Sequence, residues 1–294
     1  MCRLTAFSVT REGIGIAFKV LDALIEAASN DHYLIDLGRD GKHCDGWGFV
    51  VLADMDGWRI CYNRGYVGDS NSSSCTENLK GLAETVDHVK QMISSARRST
   101  VIVHARKAGR REPLGLFHTH PYSYVLTTNS KHENLFFAHN GGVRKRDILK
   151  ELGIENEELY TDSYTALLYI AHKLSHEEDL VKTLTYIAKT YTKKSSGFNT
   201  ALLRIKVDGE PLENNTLLYM TGYIHPDANE KLRKYYEPLL FTGNGIVGYM
   251  SSTMKDILSR NKSLDLEYIT IDHYVIGINV NAEIVFKKHM DSLK

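Results

Sequence analysis

The residues best able to do chemistry lie in a few short stretches: MCRL (1–4), HCDGWGF (43–49), VHARKAGRR (103–111), HTHPYSY (118–124), FFAHNGG (136–142) and TDSY (161–164). Cys2 stands directly behind Met1 and is small enough for methionine aminopeptidase to remove Met1. The chain would then begin with a thiol and a free α-amino group, a nucleophile and a base on one residue. The plainer alternative is a small hydrophobe in a buried first strand. A strand ending in His104 and Arg106 puts both side chains on one face, where an arginine can clamp a carboxylate bidentately or simply form a surface ion pair. Asn140 and Gly141 suit either a turn or an oxyanion hole built from a side-chain amide and a backbone N–H. Asp162 is a helix cap or first-turn acid, a role compatible with binding an ammonium group. Gly46 and Gly48 flank Trp47 and let the backbone approach another group closely, or mark a turn beside a core tryptophan. His118, His120 and His139 are possible ligands, but no further ligand stands at a familiar spacing, so no metal is expected.

No one of these features decides a function. Together they amount to an N-terminal thiol, a carboxylate clamp, oxyanion donors and an acid for an ammonium group. A substrate with an α-carboxylate, an α-ammonium and a scissile side-chain carbonyl uses all four, and glutamine is such a substrate.

The elements that must position these groups are legible from periodicity. Apolar residues at helical spacing predict helices over 18–29 and over a segment that starts at Ser74, whose spacing to Glu77 is that of a capping box. Further helices are expected at 144–152, closed by Gly153, at 161–174, and at 176–191, the last with Ser175 as cap and Glu178 completing the box. The runs 47–53 and 58–63, split by DMDG, read as a hairpin. Strands are expected at 100–105 and 134–140, and again from 198 onward. No linker or composition break divides the chain. It reads as one α+β domain over residues 1–294, two antiparallel sheets with helices outside, the C-terminal strands completing the second sheet.

Bulk properties narrow the classes. The 36 Lys and Arg balance the 36 Asp and Glu, which argues against nucleic acid as the main partner. The basic clusters Arg106, Lys107, Arg110, Arg111 and Arg144, Lys145, Arg146 are too short for a nucleic-acid track. No stretch has the length or apolarity of a membrane span, and no leader is apparent. A cytoplasmic protein is expected, with Cys2, Cys44, Cys61 and Cys75 all free thiols.

In order and spacing, MCRL, HCDGWGF, VHARKA, HTHPYSY, FFAHNG and YTDS resemble the class II glutamine amidotransferases of the N-terminal-nucleophile hydrolase superfamily, closest to their stand-alone branch. The match covers residues 1 to about 170. The resemblance implies a four-layer αββα sandwich and assigns Cys2 as nucleophile, Asn140 and Gly141 as oxyanion hole, Arg106 for the substrate α-carboxylate and Asp162 for its α-ammonium. His120 matches a site-lining histidine; Trp47 and Gly48 match site-wall and packing residues. Tyr164 departs from the acid that many relatives carry there. The implied activity is hydrolysis of glutamine to glutamate and ammonia without a cofactor, the ammonia passing to a separate acceptor synthase. A hydrolase of another γ-glutamyl amide or peptide, and an inactive binding protein, are the alternatives.

Overall fold

A computed structural model describes residues 1–69, 71–109, 112–128, 132–208, 210–260 and 264–293. Arg110 and Arg111 of the first basic cluster lie outside the described residues. The strands are β1 (Cys2–Thr10), β2 (Trp47–Asp54), β3 (Trp58–Gly65), β4 (Arg98–Arg106), β5 (Tyr122–Thr127), β6 (His132–Gly141), β7 (Phe198–Val207), β8 (Thr216–Gly222), β9 (Pro238–Gly243), β10 (Ile246–Ser251), β11 (Glu267–Thr270), β12 (Tyr274–Ile278) and β13 (Ile284–His289). The helices are α1 (Ile14–Ser29), α2 (His32–Asp36), α3 (Cys75–Ser95), α4 (Lys145–Glu151), α5 (Asp162–Ser175), α6 (Leu180–Tyr191), α7 (Glu230–Tyr236) and α8 (Ser252–Leu258).

These make an α+β protein with two antiparallel sheets. One has the order β11-β9-β10-β1-β4-β2-β3 and the other β13-β12-β8-β7-β6-β5. Strand alternation sorts the side chains. Leu4 and Ala6 of β1, Val50 and Leu52 of β2, and Ile102 of β4 meet Ala138, Ala201, Leu203 and Met220 of the other sheet in a shared apolar core. The opposite faces carry the helices. Phe7, Val51 and Val103 pack beneath α1, α3 and α8, and Phe137, Leu202 and Val275 beneath α4, α5 and α6. No helix among the described residues is long and apolar enough to cross a membrane.

The hairpin of β2 and β3 forms as expected, in register from Trp47↔Gly65 to Asp54↔Trp58. Four expectations need correction. First, the C-terminal strands do not all join the second sheet. β9, β10 and β11 extend the first, because β1 pairs with β4 on one edge and needs β10 on the other. Second, α6 starts at Leu180 with Asp179 as its cap, accepting from the Lys182 N–H at 2.8 Å. Ser175 ends α5 instead, and Glu177 at φ 61° interrupts the helical path between them. Third, Ser74 stands at the N-cap of α3 but makes no side-chain cap bond; Asn78 instead ties the first turn to the preceding loop, donating to the carbonyls of Ser74 and Val67 at 2.9 and 2.8 Å. Fourth, Cys44 and Cys75 are joined by a disulfide, leaving Cys2 and Cys61 as thiols. Spacing could not reveal that pairing, since it depends on the 43–46 loop lying against the start of α3, where Ser73 Oγ donates to Asp45 Oδ1 at 2.7 Å.

Burial makes the fold sensitive to acid. Burial pushes His43 and His139 down to about 4, and pushes His104 and His120 well below the ordinary histidine value. Unfolded histidine titrates near 6.5. Between pH 6.5 and 4 the unfolded chain therefore binds protons that the fold refuses, so stability falls as pH drops through that window. The slope is at most about 1.4 kcal/mol per pH unit for each histidine. Glu112, whose pKa burial and the nearby Asp162 raise, offsets a little of this. Thermal melts from pH 7 to 4 should show a falling Tm, with a shallower fall in His43→Gln.

Candidate active site

At one end of the shared core the two sheets leave a cavity of about 290 Å³, lined by Cys2, Arg106, His120, Gly141 and Asp162 among others. Strand parity explains why these residues meet. Cys2 continues the face of Leu4 and Ala6, and His104 and Arg106 continue that of Ile102. Asn140 continues the face of Phe136 and Ala138 from the opposite sheet. Cys2 sits opposite Arg106 in the β1–β4 ladder. Its backbone N–H donates to Asn140 Oδ1 at 2.9 Å, and its Sγ lies 3.8 Å from the Lys107 carbonyl. The asparagine oxygen is thus engaged, leaving the Nδ2 protons as donors to a bound group.

Arg106 is buried, yet among the described residues its guanidinium hydrogen-bonds only to carbonyls: Pro113 O at 2.8 Å and Asp45 O at 3.5 Å. It forms no ion pair among the described residues. A buried guanidinium held by neutral oxygens alone is a receptor for an anion. Asp45 fixes it further, its N–H bonded to the Arg106 carbonyl and its Oδ2 to the Ala108 N–H, both at 2.8 Å.

Asp162 is the first residue of α5, with Thr161 as the cap, accepting from the Tyr164 N–H at 3.0 Å. The Asp162 Oδ2 accepts from the Val143 N–H at 3.3 Å and lies 3.4 Å from Lys193 Nζ. Burial pushes its pKa up, but the charges of Lys193 and His139 outweigh that and hold it below the usual carboxylate range. Glu112 lines the same cavity, and burial together with the Asp162 charge raises its pKa. The site therefore keeps one carboxylate ionised beside a second carboxyl that holds its proton more readily.

Gly141 has φ 155°, and a Cβ there would collide with the Gly197 carbonyl. Gly141→Ala should lose about 1–3 kcal/mol of stability, read by urea denaturation.

One sequence expectation is not met. Trp47 does not reach the cavity. Its parity in β2 is that of Phe49 and Val51, toward the helices, and its Nε1 donates to Thr85 Oγ1 of α3 at 2.9 Å. Gly48 has the inward parity, and the space its missing Cβ leaves is filled by the His120 carbonyl. His118 does not converge with His120: it lines a separate surface cavity beside Leu159 and Tyr164. His120 itself is buried, its ring centroid 4.1 Å from that of His104 in a tilted pair and 4.6 Å from that of Tyr122 in an edge-on pair. His139 has the opposite strand parity, toward α5, with Nδ1 2.9 Å from Ser163 Oγ, and both residues line the same cavity.

Sequence reading missed the buried ionic cluster that anchors the strand carrying Cys2. Arg3 donates through Nε and Nη2 to Asp31 at 2.6 and 2.9 Å, and His43 Nε2 lies 2.7 Å from the same carboxylate. Arg3 could have been noticed, because it falls among Leu4, Thr5 and Ala6 in a strand with no polar face. Asp31 and Glu112 carry no local signal.

A larger cavity of about 540 Å³ lies against α5 and α6, lined by Glu151, Tyr169, Lys173, Tyr186 and Lys189, with no thiol or histidine. The short basic cluster 144–146 is spent on neighbours: Arg144 pairs with Asp147 and Arg146 with Glu157, both at 2.7 Å. No protein-family model matches the chain, and no curated protein matches it in sequence.

Proposed function

We propose that this chain is a four-layer αββα hydrolase of the N-terminal-nucleophile kind that cleaves the side-chain amide of glutamine. The observation that carries the reading is a single cavity holding the Cys2 thiol, the Arg106 guanidinium, without an ion-pair partner among the described residues, and the ionised Asp162. Arg106 takes the substrate α-carboxylate and Asp162 its α-ammonium. The γ-amide then lies toward Cys2.

Removal of Met1 is the activating step. Met1 now lines the cavity, its amino group donating to the Lys107 carbonyl at 3.1 Å. Without it, the Cys2 nitrogen becomes an amine held by Asn140 Oδ1. An α-amino group titrates near 7.7–8.0 and a thiol at about 8.5, so the amine accepts the thiol proton near neutrality. The thiolate attacks the amide carbon. The developing oxyanion is met by Asn140 Nδ2 and the Gly141 N–H, worth about 2.7–4 kcal/mol for each such donor. Ammonia leaves with the proton from the amine, and water hydrolyses the γ-glutamyl thioester. The ammonia passes to a separate acceptor enzyme.

A second reading, a γ-glutamyl amide or peptide other than glutamine, is favoured by Lys194 on the cavity wall, an exposed cation 4.0 Å from Asp227 that suits an additional carboxylate, whereas Lys193 is engaged by Asp162. Intact mass before and after 6-diazo-5-oxo-L-norleucine tests both. Loss of Met1 and a single adduct on Cys2 supports glutamine. Loss of Met1 with no adduct transfers support to the second reading, and full turnover by a chain that retains Met1 refutes the mechanism.

A further inference from the structure

We propose that Cys2, His104 and His120 form a site for Zn²⁺ at the floor of the cavity. One ligand atom from each, the Cys2 Sγ and a ring nitrogen of each histidine, all lie within 4.8 Å of one another. Among the described residues, both ring nitrogens of His104 and both of His120 are buried without a hydrogen bond of good geometry, His104 having only a weak interaction with the His139 backbone. Buried polar atoms are nearly always satisfied, so two neighbouring imidazoles with ring nitrogens this poorly partnered call for a group that accepts their lone pairs or protons. The ring centroids lie 4.1 Å apart with the planes tilted by 43°.

The fold brings the three together from separate elements. Cys2 and His104 are near-neighbours on the same inward face of β1 and β4, whose register pairs Leu4 with His104 and Cys2 with Arg106. His120 comes from the loop before β5 and is seated by the Gly48 gap.

A thiolate and two imidazoles are the donors that zinc takes at about 2.3 and 2.0–2.1 Å, whereas Mg²⁺ and Ca²⁺ require oxygen. Tetrahedral coordination needs donor separations of about 3.4–3.6 Å, a contraction within reach of side-chain rotation. Cys2 and His120 line the cavity and His104 is fully buried; a water from the cavity would complete the coordination. Binding replaces the thiol proton with the metal and releases that proton to solvent. Resting on the proposed role of Cys2 as nucleophile, metal occupancy and catalysis exclude one another, so zinc is a reversible inhibitor.

Cobalt is the probe, added to the chelator-treated full chain. The expected result is one Co²⁺ per chain with a thiolate-to-cobalt charge-transfer band, displaced by Zn²⁺ and absent in Cys2→Ser. The exposed pair His172 and His176 has no thiolate to produce that band, and Cys61→Ser should retain it. His104→Gln and His120→Gln, checked for folding by thermal melts without metal, should each weaken cobalt binding at least about tenfold. Should either fail to fold, stoichiometric Zn²⁺ should protect Cys2 of the unaltered chain from alkylation, and EDTA should restore it. No band at one equivalent, affinity unchanged in both folded histidine variants, or alkylation indifferent to zinc overturns the site. Labelling by the diazo-ketone on metal-free chain reports separately on the nucleophile.

Discussion

Cys2→Ala should abolish γ-glutamyl amide hydrolysis, lowering kcat by at least about 10⁴-fold, while the fold survives. Removing a nucleophile closes the covalent path altogether, and the remaining oxyanion donors and clamps act on water alone. The stability cost is small, because Sγ makes only a long contact with the Lys107 carbonyl. What holds the start of β1 is backbone: the ladder to β4 and the N–H bond to Asn140. Kinetics with glutamine and urea denaturation on the same preparation check both halves. An alanine variant that retains activity would overturn the assignment of Cys2, whatever its stability.

The second large effect is on folding. Asp31→Ala should cost about 3–5 kcal/mol, the penalty for leaving a buried charge without its partner. Arg3 and Asp31 are both fully buried. The carboxylate accepts from Arg3, from Thr253 Oγ1 at 2.6 Å and from the Leu34 N–H at 3.3 Å, and lies 2.7 Å from His43. Burial would raise its pKa, but Arg3 and the His43 hydrogen bond hold it far below the usual carboxylate range. Without Asp31, Arg3 retains one bond to the Tyr235 carbonyl at 3.1 Å and its place 4.2 Å over the Tyr235 ring. Adding Arg3→Met should recover part of the loss, because an apolar side chain no longer needs an anion. Urea denaturation of the two single variants and the double variant gives the coupling. No recovery in the double variant would show that Asp31 acts through His43 and Thr253 instead. Since Arg3 follows Cys2 directly, Asp31→Ala should also lower activity in the fraction that remains folded.

Trp47 and Gly48 show how far residue type and motif carry without parity. The stretch HCDGWGF correctly marks a strand start near the site, but which of two adjacent residues faces it depends on which face of β2 meets the other sheet. Alternation alone leaves two choices, and the fold selects Gly48. The helix starts show the same limit. Ser74 and Ser175 both carry capping-box spacing, yet Ser74 makes no cap bond and Asp179 caps α6, because side-chain caps compete with the local chain path.

By itself the sequence determined the local elements and the chemical inventory. The apolar periodicities of α3 and α5, the hairpin at DMDG, and the polar residues at the ends of β4 and β6 are written in neighbouring positions, where a 3.6 or 2.0 repeat is enough. The tertiary structure decided everything that depends on distance in space. It brought Asn140 to the Cys2 nitrogen across 138 positions of chain, joined Cys44 to Cys75, divided the C-terminal strands between two sheets and set His104 against His120. These pairings arise because each sheet must bury one face against the other and one beneath helices, a constraint that no local window of residues contains.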